Sequence, residues 1–568
     1  MTSEKNALLD IKDLSFTYRR THKHALNSIT LNIEKGEFIA ILGRSGAGKS
    51  TFILTLNGLI PHFIKGDFEG SVLIDGVSTS GRSVAEISGE VGIIFQDFES
   101  QLFSTSVELE IAFGLENTGV EYEEIKTRID KYLNLAGLSG FNLKEPALLS
   151  GGQKQRLAIA AVLAMEPLLV CLDEPTTDLD PEGKSSVFKL LDTIRKDRNR
   201  AIVAVEHETD ELMGADRCIV IDSGKIVIDG PPEEIFRDIS KIETLGIMPP
   251  QLAVLAQTLG AGNPFKNADD AYVYFTSNGF HLDTLRIQQI INEDKRFESS
   301  NGEQILNMEG VTFFYENEKS PVLDNIDLSI CRGEIIAIAG KNGSGKTTLV
   351  KQINGLLKST SGKIAIDGKD ISTYSHLDLV QKAGFVFQNP DYQIFSETVE
   401  DEVAFTPKLL SLSEDEIRKR VSDSLQAVGL EENRKDDPFV LTKGQRQRIA
   451  VASVLAAKSD IIILDEPTTG LDYIELTGMM NLLLKLNSEG HTIIMVTHSM
   501  HVITKYARRL IIMQDGKIAF DGKTRDGMKN EKLLKECHIK LPEVVKLSSM
   551  LGHTLLNIDE FKSAIIKR

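Results

Sequence analysis

The sequence predicts an α/β fold used twice in tandem, each half carrying a phosphate-binding loop, an inserted helical subdomain and a small C-terminal extension. Three observations predict it. Gly43-Arg44-Ser45-Gly46-Ala47-Gly48-Lys49-Ser50 recurs as Gly340-Lys341-Asn342-Gly343-Ser344-Gly345-Lys346-Thr347. Leu172-Asp173-Glu174-Pro175-Thr176-Thr177 recurs as Leu464-Asp465-Glu466-Pro467-Thr468-Thr469. Between these motifs the register holds: Lys49 and Lys346 lie 297 residues apart, while Gln96 and Gln388, Gln153 and Gln445, and Asp173 and Asp465 all lie 292 apart. A whole domain has been duplicated, with five extra residues in the first copy between Leu59 and Glu69.

Each half reads as strands alternating with helices. Gly36 to Leu42 and Gly333 to Ala339 are apolar runs that feed a glycine loop and then a helix. Leu168 to Leu172 and Ile461 to Leu464 are short continuous apolar runs, the pattern of central strands covered on both faces. Tyr122 to Gly137 and Glu414 to Gly429 show helical periodicity and fit the inserted subdomain. The tails also correspond, Ile247 to Gly260 against Ile539 to Gly552. The expected division is 7–245 and 246–276 for the first domain and its extension, 277–304 as linker, then 305–530 and 531–568 for the second pair. A short helical pattern in Leu282 to Ile291 and a polar end at 298–303 fall in that linker. A tether of this kind makes pairing of the halves intramolecular.

Bulk properties narrow the function. A length of 568 residues calls for more than one domain, and 41% hydrophobic with 26% charged residues is a globular composition. A net charge of -18 argues against non-specific nucleic-acid binding, which needs basic surface. Cys171, Cys218, Cys331 and Cys537 are scattered without a C-x-x-C pair, which argues against zinc or iron–sulfur and for reduced thiols. The opening residues hold no apolar run, so no signal peptide is expected. No stretch reaches the roughly 20 apolar residues that span a bilayer.

The motifs carry nucleotide chemistry. In G-x-x-x-x-G-K-[S/T] the glycines let backbone N–H groups close around phosphates, Lys49 or Lys346 reaches the outer ones, and the hydroxyl of Ser50 or Thr347 ligates Mg²⁺. An Asp-Glu pair at a strand's carboxyl end would stand beside that nucleotide. Asp173 and Asp465 would hold Mg²⁺ through water, and Glu174 and Glu466 would polarise the attacking water. An acidic strand end that merely caps a helix explains one such pair, but not its recurrence at a fixed distance from a phosphate loop.

With Leu149-Ser150-Gly151-Gly152-Gln153 just upstream of the first Asp-Glu, and Leu441-Thr442-Lys443-Gly444-Gln445 upstream of the second, the chain resembles two ABC ATPase domains fused head to tail. The resemblance covers nearly the whole length. It implies an intramolecular pseudo-dimer with two composite ATP sites, each pairing the phosphate loop of one half with the signature helix terminus of the other. A helix N-terminus with a hydroxyl and glycines is itself suited to an anion.

The resemblance carries over residue by residue. ATP binding falls to the two phosphate loops with Thr51 and Thr348, to Ser150–Gln153 and Thr442–Gln445, and to Tyr18 and Tyr315 as adenine-stacking aromatics; stacking elsewhere contributes about 1–3 kcal/mol. The competing reading of each tyrosine is a buried strand residue. Gln96 and Gln388 match the glutamine that senses Mg²⁺ and water, and His207 and His498 the switch histidine at the γ-phosphate. Thr177-Asp178-Leu179-Asp180 and Thr469-Gly470-Leu471-Asp472 match the loop that communicates across the dimer.

One run discriminates within the family. Phe387-Gln388-Asn389-Pro390-Asp391-Tyr392-Gln393-Ile394-Phe395 resembles the corresponding run of energy-coupling-factor importer ATPases. Phe95-Gln96-Asp97-Phe98-Glu99-Ser100-Gln101-Leu102-Phe103 keeps its frame without Asn-Pro. That branch imports vitamins or transition-metal ions, working at the cytoplasmic face of the membrane beneath a transmembrane coupling protein and a membrane-embedded substrate-binding protein. Phe98, Leu102, Phe103, Tyr392, Ile394 and Phe395 are then candidates to line a groove for the partner's helices; packing within the subdomain is the competing reading. The alternative function is a soluble fused ABC ATPase acting on ribosomes or another macromolecule. It calls for a basic inter-domain segment, which this acidic chain does not show.

The two signature motifs differ. Lys443 stands where the first copy has Gly151, which costs backbone freedom and adds a charge. The expectation is a slower site for Lys49, Asp173 and Glu174 paired with Thr442–Gln445, and a faster one for Lys346, Asp465 and Glu466 paired with Ser150–Gln153. The competing reading is a tolerated substitution.

Overall fold

In the computed structural model the described residues are 7–567 apart from 20–22, 178, 196–198, 299–301 and 317. They form two compact units that divide after Pro264. Asp178, and three residues of the polar stretch 298–303, lie outside the described residues.

Each unit is built on a six-stranded sheet whose central strands are parallel. In the first unit the order is Lys225–Gly230, Arg217–Asp222, Phe38–Leu42, Ala201–Val205, Leu169–Asp173, Val91–Ile94. Only the outermost pair, Lys225–Gly230 with Arg217–Asp222, runs antiparallel. The second unit repeats the order with Lys517–Lys523, Arg509–Gln514, Ile335–Ala339, Thr492–Val496, Ile461–Asp465 and Ala383–Val386. Every residue of Phe38–Leu42, Leu169–Asp173 and Ala201–Val205 is buried, as the unbroken apolar runs required. The loop strand lies next to the strand that ends in histidine, and the Asp-Glu strand lies beyond that. The carboxyl ends of all three therefore open on one edge, the place where ligands bind in open α/β sheets.

A separate antiparallel sheet flanks each core. It consists of Leu26–Glu34, Ala7–Tyr18, Gly66–Ile74 and Val77–Ser78 in the first unit, and Leu323–Cys331, Gln304–Phe313, Ser361–Ile366 and Lys369–Asp370 in the second. The extra residues of the first copy lengthen its third strand to begin at Gly66, opposite Tyr18. The helical subdomains are the triplets Val107–Asn117, Tyr122–Leu135, Gly151–Ala164 and Val399–Leu409, Glu414–Val428, Lys443–Ala456. In the second triplet the apolar faces, for example Val403, Val421, Leu425 and Ile449, share one core.

The described residues of the stretch expected as a linker, 277–304, are structured and pack with the second unit, and so does 265–276, which was expected in the extension of the first domain. Ala268–Ser277 and Thr284–Glu298 are helices, and between them Phe280–Leu282 pairs antiparallel with Ile565–Lys567. Phe275 lies 5.7 Å from the Phe280 ring and 5.8 Å from Phe561, and Lys546 bonds Asp269 at 3.0 Å. The cause is an open strand edge at 565–567 and an apolar face on Phe561, neither of which a repeat alignment reveals. Among the described residues no helix is long and apolar enough to cross a membrane.

Candidate functional site

The glycine loops are shaped by close backbone approach. A Cβ on Gly43 would stand 2.1 Å from the Ile221 carbonyl oxygen, and one on Gly340 2.2 Å from that of Met513. Gly48 and Gly345 turn into the following helices, Lys49–Leu56 and Lys346–Ile353, at φ 108 and 99, the left-handed region that favours glycine. Lys49 is 5% exposed, and its ammonium donates to the Gly43 and Arg44 carbonyls at 2.9 and 2.8 Å. Lys346 does the same toward Gly340 and Lys341 at 2.9 and 3.0 Å. Each loop is a preformed ring of backbone around a lysine, suited to an anion at a helix start.

The carboxylates lie where the strands end. Asp173 is buried, and burial pushes its carboxyl up to about 6, with a hydrogen bond from Ser50 acting the other way. Its Oδ1 is buried without a hydrogen-bond partner. Asp465 is likewise raised by burial and accepts from Thr347 Oγ1 at 3.2 Å. Hydroxyl and carboxylate oxygens in this arrangement, one of them left bare, fit a hard divalent cation such as Mg²⁺.

Glu174 and Glu466 adopt φ 51 and 49, a conformation non-glycine residues seldom take and one that recurs at functional sites. Their surroundings differ. Glu174 accepts from Gln96 Nε2 at 2.7 Å and from Thr177 Oγ1 at 3.2 Å, and His207 Nε2 lies 2.9 Å from its other oxygen. In the second unit His498 Nε2 lies 2.9 Å from Asn342 Oδ1 of the phosphate loop and 3.4 Å from Glu466. The first copy has Ser45 where the second has Asn342. Each unit thus gathers its own loop lysine, Asp, Glu and His, and in the first Gln96 bonds the Glu directly.

Tyr18 meets Phe16 edge-on at 4.9 Å, and its hydroxyl is 2.9 Å from Thr51 Oγ1. Tyr315 repeats this against Phe313 and Thr348, at 4.9 and 3.2 Å. Both tyrosines are therefore fixed beside the loop helix rather than enclosed in the sheet, and Tyr315 stays 41% exposed. Ser150 and Thr442 cap separate helices. Each forms a reciprocal capping box, with Gln153 and Gln445 respectively.

Some contributors were missed in the sequence. Glu206 precedes His207 and is buried, accepting from Thr176 Oγ1 at 2.9 Å; burial pushes its carboxyl from 4.5 up to about 8. Thr497 occupies this place in the second copy, a difference visible in the aligned repeats. Because the folded value is raised, the native chain keeps a proton that the unfolded chain loses. The resulting penalty is absent below 4.5 and grows as pH rises toward 8, by at most about 1.4 kcal/mol per pH unit. Glu206→Gln is expected to flatten the fall in thermal midpoint of the first unit between about pH 5.5 and 7.5. An unchanged slope would refute the assignment.

Glu110 and Glu402 are also buried. Glu110 Oε2 accepts the N–H groups of Phe103 and Ser104 at 3.1 and 2.8 Å, and Glu402 Oε2 those of Phe395 and Ser396 at 3.1 and 3.0 Å. Of the six groove candidates, Phe98 and Ile394 are buried, Leu102 is half-buried, and Phe103, Tyr392 and Phe395 are exposed.

Comparison with known proteins agrees with this geometry. The ABC transporter family model matches residues 26–177 and 323–469. Two curated relatives are each named "Putative ABC transporter ATP-binding protein". One, from Caldanaerobacter subterraneus subsp. tengcongensis, is 46% identical over 560 residues, 97% of this chain and 98% of the relative. The other, from Methanosarcina mazei, is 36% identical over 570 residues, 99% and 97% of the two chains. Among solved structures, cbiO1 of Clostridium perfringens, described as part of the ABC transporter complex cbiONQ, is 36% identical. It covers 43% of this chain and 97% of its own, with a TM-score of 0.38. A duplicated phosphate loop, Asp-Glu strand end and capped signature helix, matched over nearly the full length of these relatives, make this chain a member of the ABC transporter ATP-binding proteins, an ATPase with two ABC domains on one polypeptide.

Proposed function

We propose that this ATPase energises a membrane importer of the energy-coupling-factor kind, for a vitamin or a transition-metal ion, from the cytoplasmic face of the membrane. The observation that carries the reading is an exposed aromatic pair built identically in both halves. Phe103 meets Phe113 edge-on at 4.7 Å, and Phe395 meets Phe405 edge-on at 4.7 Å. Phe103 and Phe395 are 63% and 61% exposed. Beneath them the chain is pinned by Glu110 and Glu402, and by Gln101 and Gln393, whose side-chain oxygens accept the N–H of Phe95 and Phe387 at 3.4 and 3.3 Å. A polar loop held this firmly while its aromatics face outward favours a partner surface over subdomain packing. The run lies next to Gln96 and Gln388, so a partner there would act on the residues that meet the nucleotide.

At each ATP the loop lysine would hold phosphate, and Glu174 or Glu466 would orient the attacking water, with His207 or His498 positioning the γ-phosphate. Ser50, Gln96 and Asp173, and Thr347, Gln388 and Asp465, would hold Mg²⁺, which neutralises charge developing on the phosphates. The two phosphate loops would pair with the signature helix of the opposite half, as the family resemblance implies.

Phe103→Asp with Phe395→Asp is expected to remove the chain from the membrane fraction while leaving its thermal midpoint within about 2 °C, since both side chains are largely solvated already. Retention on membranes, or co-sedimentation of the parent chain with ribosomes, would refute the reading and favour the soluble alternative.

A further inference from the structure

A carboxylate sits on the signature helix of the second copy. Thr442 is the N-cap residue of Lys443–Ala456, and its hydroxyl donates to Glu475 Oε1 at 2.9 Å. Glu475 is the third residue of Tyr473–Ser488, where the cap Asp472 accepts its N–H at 2.8 Å. A Cβ placed on Gly444 would fall 2.6 Å from the Glu475 carboxyl carbon and 2.7 and 3.0 Å from its oxygens. The carboxylate therefore lies against the first turn of the signature helix, where any side chain at Gly444 would have to displace it.

The first copy differs at the matching position. Asp180 matches Asp472 in the repeat, and the residue matching Glu475, 292 positions earlier, is Gly183. Around Gly152 the nearest side-chain atom to an added Cβ is Leu179 Cδ2, at 3.8 Å. The second copy thus carries two coupled changes at one helix N-terminus, Lys443 for Gly151 and Glu475 for Gly183.

A helix N-terminus favours an anion because its first N–H groups are unpaired and its dipole is positive there. In the second copy the chain supplies that anion itself. A phosphate arriving at Thr442 would compete for a hydroxyl already donated, and would meet a like charge at a range where solvent screens poorly. We infer that Glu475 is an internal substitute for phosphate on the second signature helix, and that it holds back the ATP site to which that helix contributes. Glu475 is a positioning residue that acts through Thr442. The inference rests on the pairing of phosphate loops with opposite signature helices stated above, and is independent of the importer reading.

The test uses the full chain without any membrane partner and reads single-turnover ATP hydrolysis with the half-saturating ATP concentration. Glu475→Gln keeps an acceptor for Thr442 and removes only the charge, while Glu475→Gly copies the first half. In a Glu466→Gln background, where hydrolysis runs through Glu174, both substitutions are expected to speed hydrolysis at least about threefold and to lower half-saturation. In a Glu174→Gln background the gain should be smaller by at least about threefold. A purely structural role for Glu475 would lower the thermal midpoint without raising either rate. Equal gains in both backgrounds, no gain in either, or a gain with Gly but not with Gln would overturn the inference. Indistinguishable parent backgrounds would show that the two sites are equivalent, and would overturn the inference as well.

Discussion

Glu466→Gln is expected to remove most of the ATP turnover of this chain, at least about tenfold, while Glu174→Gln leaves the larger part of it. The expectation rests on Lys443 in the second signature motif and on the carboxylate proposed above to act at Thr442. Glu466 belongs to the loop of Lys346, whose implied partner helix begins Ser150-Gly151-Gly152-Gln153, with Gly183 at the position that Glu475 takes in the second copy. Glu174 belongs to the loop of Lys49, whose implied partner begins with Thr442 already bonded to Glu475. The carboxylates also rest differently. His207 Nε2 lies 2.9 Å from Glu174, whereas His498 Nε2 lies 3.4 Å from Glu466 and 2.9 Å from Asn342 of the phosphate loop. Steady-state phosphate release from the two single variants decides the matter. Equal losses would show that the sites are equivalent and that the Thr-Lys-Gly spelling has no consequence.

The second large effect is on stability. Arg525 is 3% exposed, and four of the five N–H donors of its guanidinium are engaged within the second unit. Nε donates to Asp294 at 2.6 Å, while Nη1 and Nη2 both donate to Glu560 at 2.8 Å and Nη1 also to the Thr554 carbonyl at 2.7 Å. The planar fork is what lets one side chain serve both carboxylates, which an ammonium cannot reproduce. Arg525→Ala leaves Asp294 and Glu560 without their cation and is expected to cost about 3–5 kcal/mol. The check is the urea midpoint of the second unit's transition, together with amide exchange in 284–294, which should become faster as that helix loses its anchor. A cost below about 1 kcal/mol would mean that water takes over the role of the arginine.

Much of this architecture was legible because it rests on local patterns. A continuous apolar run such as Ile461 to Leu464 can only be a covered strand, and it is one. The helical period of Glu414 to Gly429 becomes the helix Glu414–Val428, closed by Gly429 at φ 70. The phosphate loops were legible for a stricter reason. Gly43 and Gly340 stand where any side chain would collide with a carbonyl oxygen, so the spelling of the loop is itself a geometric constraint. What could not be read was which residue answers which at long range. The stretch at 277–304 reads as a tether because the strand Phe280–Leu282 finds its pairing partner only at the distant edge 565–567.

The same division holds for the two ATP sites. The sequence by itself determined that there are two phosphate loops and two Asp-Glu strand ends, and that the signature motifs are unequal, because these depend on residue type at fixed local spacing. Only the tertiary structure decided what stands beside the unequal motifs. It brings Glu475, 33 residues beyond Thr442, onto that threonine's hydroxyl, and it closes His207 on Glu174 but His498 on Asn342. A charge acts through distance in space, and folding, not spelling, sets that distance.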